Sequence, residues 1–235
     1  MKNKKRPDIC LTLNCRTVEE LKREIDEFGP YCQVIEWCGD EFENLESYSP
    51  EEFKQLIKLI KVMCGDKKLS FTMSEAGEQT DVYLRAAMGA ADYINIKWES
   101  KNAEKLVREA HRNRSKAIVS YHELERILKK EEISMEFIKM EKTGADILGI
   151  AAFADKEEDA YELLEGAFAY NQLKGHKTFT AIAMGDEGQA SRICCGDFGS
   201  SMTFACGSKA TAPGQFNAVD LTRYMDVYYK KIRMD

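Results

Sequence analysis

Residues 93–122 read YINIKWESKNAEKLVREAHRNRSKAIVSYH, and they contain the unit from which the rest of the chain is built. In Tyr93–Trp98 the apolar Ile94, Ile96 and Trp98 alternate with the polar Asn95 and Lys97, the period of a β-strand. Ala103, Leu106, Val107 and Ala110 then recur at the spacing of one helical face, and Ala117–His122 is again strand-like. Outward from this unit, similar runs stand at Ile9–Leu13, Gln33–Trp37, Leu69–Met73, Ile147–Phe153, Phe179–Met184 and Met202–Cys206, eight in all. Helical faces separate them: Val18, Leu21, Ile25 and Phe28; Phe53, Leu56, Ile57 and Ile60; Ala160, Leu163, Leu164 and Ala167; and a last one marked by Tyr224, Val227 and Tyr228. Strict β-then-α alternation predicts a parallel sheet. Eight repeats predict its closure into a (β/α)8 TIM barrel, with an open doubly wound sheet as the alternative. The 235 residues are close to the length a complete barrel needs. No Pro- or Ser-rich linker divides them, so one barrel domain over 1–235 is expected.

Composition narrows the function classes. Apolar residues make up 44% of the chain, enough for a large core. The net charge of −6 argues against non-specific nucleic-acid binding, which needs clustered Lys and Arg. The basic start, Lys2 to Arg6, reads as a solvated tail. The longest apolar run, Ile147–Ala154, is far too short to span a bilayer, and no signal peptide is visible, so no membrane association and a cytoplasmic location are expected. The eight cysteines include no C-x-x-C pair and read as reduced, mostly buried thiols. No zinc ligand set, G-x-G-x-x-G or P-loop occurs, so neither a metal nor a nucleotide cofactor is implied.

A barrel carries its chemistry at the C-terminal ends of its strands. Those ends hold Glu36 and Cys38, Ser74 and Glu75, Asn95 and Lys97, and His122. Five stretches in order are Val34-Ile35-Glu36-Trp37, Phe71-Thr72-Met73-Ser74, Val119-Ser120-Tyr121-His122, Met184-Gly185 through Gly188 to Ser191-Arg192, and Thr211-Ala212-Pro213-Gly214-Gln215. Together they resemble the strand and loop motifs of type I 3-dehydroquinate dehydratases, across nearly the whole chain. The resemblance implies a lyase that forms an imine between a lysine and a substrate ketone, moves protons through a histidine and loses water. By position it makes His122 the general acid/base and Glu36 an orienting group. Arg192 and Gln215 become anchors for the substrate carboxylate and its neighbouring hydroxyl, with Thr211 and Ser74 as further substrate-binding candidates. It also implies a homodimer.

The chain departs from the family pattern at several points. Cys38 and Ser74 stand where the family has arginines. The family's glutamate in the loop after the third strand maps to Glu75 or Glu78. The imine-forming lysine of "G-A-D-I-P-K" corresponds to Gly149 in Gly144-Ala145-Asp146-Ile147-Leu148-Gly149. Glycine has no amine. Lys97 offers one on the fourth strand, where the family usually carries two acids. Residues two apart on a strand point the same way, so Asn95 and Lys97 are expected to face the barrel mouth. Lys97 is then a candidate for a relocated imine lysine. Alternatively it reaches past the mouth to solvent or pairs with Glu36.

The remaining candidates have plainer readings beside the functional ones. His122 could cap a buried polar network, Arg192 could anchor a loop and Gln215 could serve turn chemistry. Cys38 reads as a packed thiol rather than a nucleophile, Cys194 and Cys195 as packing, and His111 and His176 as surface residues. Two function classes stay open: a lyase of altered activity on a small carboxylate-bearing ketone, and a non-catalytic ligand-binding or regulatory protein of the same fold.

Overall fold

Asn95 and Lys97 do point inward, and the alternation seen in residues 93–122 runs around a whole barrel in the computed structural model. The structure describes residues 6–125 and 128–229. The basic start up to Lys5 lies outside the described residues. The strands are β1 (Asp8–Leu13), β2 (Val34–Cys38), β3 (Lys68–Thr72), β4 (Tyr93–Lys97), β5 (Lys116–Glu123), β6 (Ile147–Phe153), β7 (Thr178–Met184) and β8 (Met202–Cys206). Helices follow them in turn: α1 (Val18–Phe28), α2 (Pro50–Met63), α3 (Glu78–Ala87), α4 (Ala103–Arg112), α5 (Lys130–Glu141), α6 (Glu157–Asn171), α7 (Gln189–Cys194) and α8 (Ala218–Tyr229). The parallel ladder runs β7-β6-β5-β4-β3-β2-β1-β8. Its two ends meet through Ser201 N donating to Phe179 O (2.8 Å) and Thr180 Oγ1 donating to Met202 O (2.6 Å), so the cylinder is nearly closed.

Strand parity separates two kinds of interior. Outward residues such as Ile94, Ile96, Phe71 and Leu148 pack with α-helical Phe53, Leu106, Phe137 and Leu163 in the main apolar core. Inward residues are stacked in levels. Cys10, Val34, Ile118, Ile147 and Met202 form an apolar plug near the N-terminal end of the cylinder. One step up, the register brings Thr12 beside Glu36, Glu36 beside Ser70, Ser120 beside Gly149 and Gly149 beside Thr180. The barrel is therefore sealed below and polar above, and a site can open only at the C-terminal face.

Local chemistry starts the helices. Thr17 caps α1 by accepting from Glu20 N (3.2 Å), and Ser49 and Glu52 form a capping box ahead of Pro50 on α2. The expected last helix exists, but its face is corrected. Ala218, Leu221 and Met225 are buried, whereas Tyr224 and Tyr228 are about half exposed and Val227 is 78% exposed. Tyrosine tolerates this because its hydroxyl finds a polar partner, here Asp197 for Tyr228 (2.7 Å). Cys10, Cys15, Cys32, Cys38, Cys64, Cys195 and Cys206 are buried thiols outside any disulfide, and Cys194 is half-buried. His111 is exposed and bonds Asp146 (2.8 Å); His176 is half-buried against Tyr170 and Phe179.

Candidate active site

A cavity of about 680 Å³ opens at the C-terminal mouth of the barrel. Its walls include Glu36, Lys97, His122, Gly149, Arg192 and Gln215, so most of the expected site residues converge on one space. Ser74 and Thr211 line it as well.

Lys97 ends β4 with 8% of its surface exposed, and its ammonium turns into the barrel rather than out to solvent. Its Nζ lies 3.2 Å from His122 Nδ1. An ammonium has no lone pair, so when Lys97 is charged this bond runs from Nζ to an unprotonated Nδ1, which places the ring proton on Nε2. The surrounding walls, and after them the Lys97 charge, push the His122 pKa down, and the imidazole is neutral at pH 7 although its outer edge meets water.

The alternative pairing of Lys97 with Glu36 is not formed among the described residues. Glu36 is buried and accepts from Asn95 Nδ2 (2.9 Å), Ser70 Oγ (3.3 Å) and Thr12 Oγ1 (3.4 Å). Asn95 Oδ1 in turn accepts from Ser120 Oγ (2.8 Å). Among the described residues no lysine or arginine lies within 4.0 Å of the Glu36 carboxylate, so neutral donors alone hold it.

Arg192 lies on α7 and is 1% exposed. Its Nη1 and Nη2 donate to the carbonyls of Phe204 (3.3 Å) and Pro213 (3.0 Å), while Nε has no partner among the described residues. Burial lowers its pKa to about 10, which leaves it charged at neutral pH. A buried guanidinium with an unpaired N–H and no carboxylate beside it is chemically suited to an anion. The loop glycines put it there. Gly214 has φ +71°, and a Cβ on it would stand 2.1 Å from Gly185 O, so only glycine lets the loops after β7 and β8 meet. Gln215 staples the second loop: its Oε1 accepts from Thr211 N (2.7 Å), Thr211 Oγ1 (3.0 Å) and Ala212 N (3.0 Å). Turn chemistry and cavity lining thus coexist in Gln215, and none of these bonds uses its amide nitrogen.

Cys38 and Ser74 are tied together by Asp40, whose carboxylate accepts from Cys38 Sγ (2.7 Å), Ser74 Oγ (2.9 Å) and Ser74 N (2.8 Å). Burial and this carboxylate push the Cys38 pKa up to about 12, so it is a thiol and no nucleophile at neutral pH. Gly149 leaves room in the wall: a Cβ there would meet only ordinary contacts at 3.5 Å to Ser120 and 3.6 Å to Thr180. Asn14, just past β1, was not among the sequence candidates. It lines the cavity, and its Oδ1 has no hydrogen-bond partner among the described residues. The parity that selects Asn95 and Lys97 also selects Thr12 and Asn14, but β1 ends before Asn14, and a strand end read from sequence is uncertain by a residue or two. Among the described residues no group of three His, Cys, Asp or Glu is placed to hold a metal ion, and no helix is long and apolar enough to cross a membrane.

A family model described as type I 3-dehydroquinase matches residues 9–232. A 3-dehydroquinate dehydratase of Clostridioides difficile is 29% identical, the match covering 97% of this chain and 94% of that protein. One from Syntrophotalea carbinolica is 30% identical, covering 95% and 93%. Among solved structures, a type I 3-dehydroquinate dehydratase of Clostridium difficile with covalently modified comenic acid superposes with a TM-score of 0.87 at 27% identity, over 97% of this chain and 94% of that one. A 3-hexulose-6-phosphate synthase shares the fold alone, with a TM-score of 0.65 at 14% identity.

Proposed function

Because the chain belongs to the type I 3-dehydroquinase family, we propose that it is a carbon–oxygen lyase acting on a small carboxylate-bearing ketone through an imine on Lys97. The observation that carries this reading is the 3.2 Å contact between Lys97 Nζ and His122 Nδ1 inside the cavity that also holds Arg192. Imine chemistry needs an amine, a nearby proton acceptor and a grip on the substrate. Gly149 stands where the family motif has its lysine and cannot supply the first; Lys97 can. The Clostridium difficile structure with covalently modified comenic acid is in keeping with covalent chemistry in such a barrel.

In this mechanism Arg192 binds the carboxylate through its free Nε, and Glu36 and Gln215 set the orientation of the ring or chain. Lys97 passes a proton to His122, and the neutral amine adds to the carbonyl carbon. Loss of water, with the proton returned from His122, gives a protonated imine and a neutral imidazole. His122 removes a proton from the adjacent carbon, and the electron pair moves toward the imine nitrogen. The hydroxyl on the next carbon then leaves as water with a proton from His122. Water hydrolyses the imine and returns Lys97. The net change is the loss of one water.

The test is reduction with sodium borohydride in the presence of 3-dehydroquinate and a panel of cyclic and open-chain keto-acids, followed by peptide mass spectrometry. The expected result is an adduct on the peptide carrying Lys97, absent in Lys97→Met. An unlabelled Lys97 across the panel overturns the imine. Thermal stabilisation by the same keto-acids without labelling or turnover then favours the second reading, a non-catalytic binder. The glycine at position 149 is what speaks for that second reading.

A further inference from the structure

The charges around the cavity are segregated. Both cations, Lys97 and Arg192, come from β4 and α7. The wall built by β1 to β3 and their loops contributes no lysine or arginine to the lining. It contributes acceptors instead. Glu36 is buried without a counter-ion, Glu75 lines the mouth, and Asp40 stands behind Cys38 and Ser74 with no cation within 4.0 Å among the described residues. Asn14 Oδ1 is buried on the same side with no donor.

Two independent features therefore await a ligand in one space: the free Nε of the fully buried Arg192, which wants an anion, and an acceptor-rich wall opposite, which wants N–H donors. With one positive charge kept on Lys97, on His122 or on the imine, the lining carries Glu36, Glu75 and Glu99 against that charge and Arg192. A ligand bearing two anionic ends would place its second charge against carboxylates, and like charges at such separations are penalised in a partly dry cavity. The hydroxyls of a neutral polyol end would donate to those carboxylates, as Ser70 and Thr12 do to Glu36, but would leave the excess negative charge of the lining in place. An ammonium satisfies both conditions.

We infer that the substrate is zwitterionic: an amino-keto acid whose carboxylate meets Arg192, whose carbonyl meets Lys97, and whose ammonium is held by Glu75 and Asn14. This deepens the imine reading of the previous subsection and rests on it.

The experiment compares borohydride trapping on the Lys97 peptide for 5-amino-4-oxopentanoate and its longer-chain homologues, each against the parent keto acid and the hydroxy analogue. The expected result is half-maximal trapping at roughly tenfold lower concentration for the best-fitting amino compound, the effect of one charge-assisted hydrogen bond. That preference should shrink toward unity in Glu75→Gln and in Asn14→Ala. Equal trapping of amino and parent compounds overturns the zwitterion proposal and leaves the imine standing, as does a preference that survives both substitutions. Absence of trapping with every keto acid overturns the imine reading itself.

Discussion

Lys97 sits opposite Ser120 in the β4–β5 ladder, yet its amine bonds His122, two residues further along the neighbouring strand, at 3.2 Å. The strand brings the lysine to the level of the buried polar layer, and the long side chain carries its charge up to the mouth. The amine is thereby separated from the Glu36 layer below and placed at the level where the cavity opens.

The neutral state of His122 gives a pH signature. Its pKa is depressed in the folded protein below the ordinary value of about 6.5. The unfolded chain therefore binds the proton first, and the contribution to stability present above about pH 6.5 is lost as pH falls below it. The melting temperature of the wild type should fall more between pH 7 and pH 5 than that of His122→Asn. Parallel curves would mean that the imidazole is not held neutral.

Arg192 should separate binding from stability. Its guanidinium is buried without a carboxylate, and such charges cost desolvation that an apolar side chain avoids. The two carbonyl bonds lost in Arg192→Met offset part of that gain. We expect a stability change within about 1 kcal/mol by urea unfolding, with keto-acid affinity weakened by about tenfold or more. Unchanged affinity by calorimetry would remove Arg192 from the anchor role.

The two glycines of the mouth should respond oppositely to alanine. Gly214→Ala places a Cβ against Gly185 O at a φ of +71° and should cost more than about 2 kcal/mol. Gly149→Ala meets only ordinary contacts and should be neutral or stabilising by up to about 1 kcal/mol, since it also restricts the unfolded chain. Thermal unfolding of the pair checks both, and a tolerated Gly214→Ala would contradict the loop contact.

Asn95 is the only donor within 3.0 Å of the Glu36 carboxylate among the described residues. Asn95→Asp turns that bond into two facing carboxylates, which cannot both ionise without strain. The variant should lose roughly 2 kcal/mol at pH 7. One of the two carboxyls then has a raised folded-state pKa, so the folded protein binds the extra proton and the deficit narrows as pH falls toward 5. A deficit that grows on acidification would contradict the assignment.

Much of the architecture was readable because it depends on neighbours a few residues apart. Alternation in Tyr93–Trp98 and the spacing of Ala103, Leu106, Val107 and Ala110 describe one strand and one helix regardless of the rest of the chain. α3, α5 and α7 carried no face quoted from sequence, and the buried face of α8 was misassigned because Tyr224 and Tyr228 count as apolar in a periodicity but are served by water and Asp197 in the fold.

By itself, the sequence determined the order of eight strands and helices, the parity that sends Asn95 and Lys97 inward, the presence of His122 and Glu36 near strand ends, and that of Arg192 in the segment after the seventh strand. Only the tertiary structure decided that Lys97 meets His122 rather than Glu36, that Arg192 is buried with a free Nε, and that Asp40 joins Cys38 to Ser74. The physical reason is range. Backbone periodicity is set within one turn or one strand. Which side chains share a hydrogen bond across strands, and which are left without one, depends on how the closed sheet staggers its strands and on the loops that glycines allow to touch.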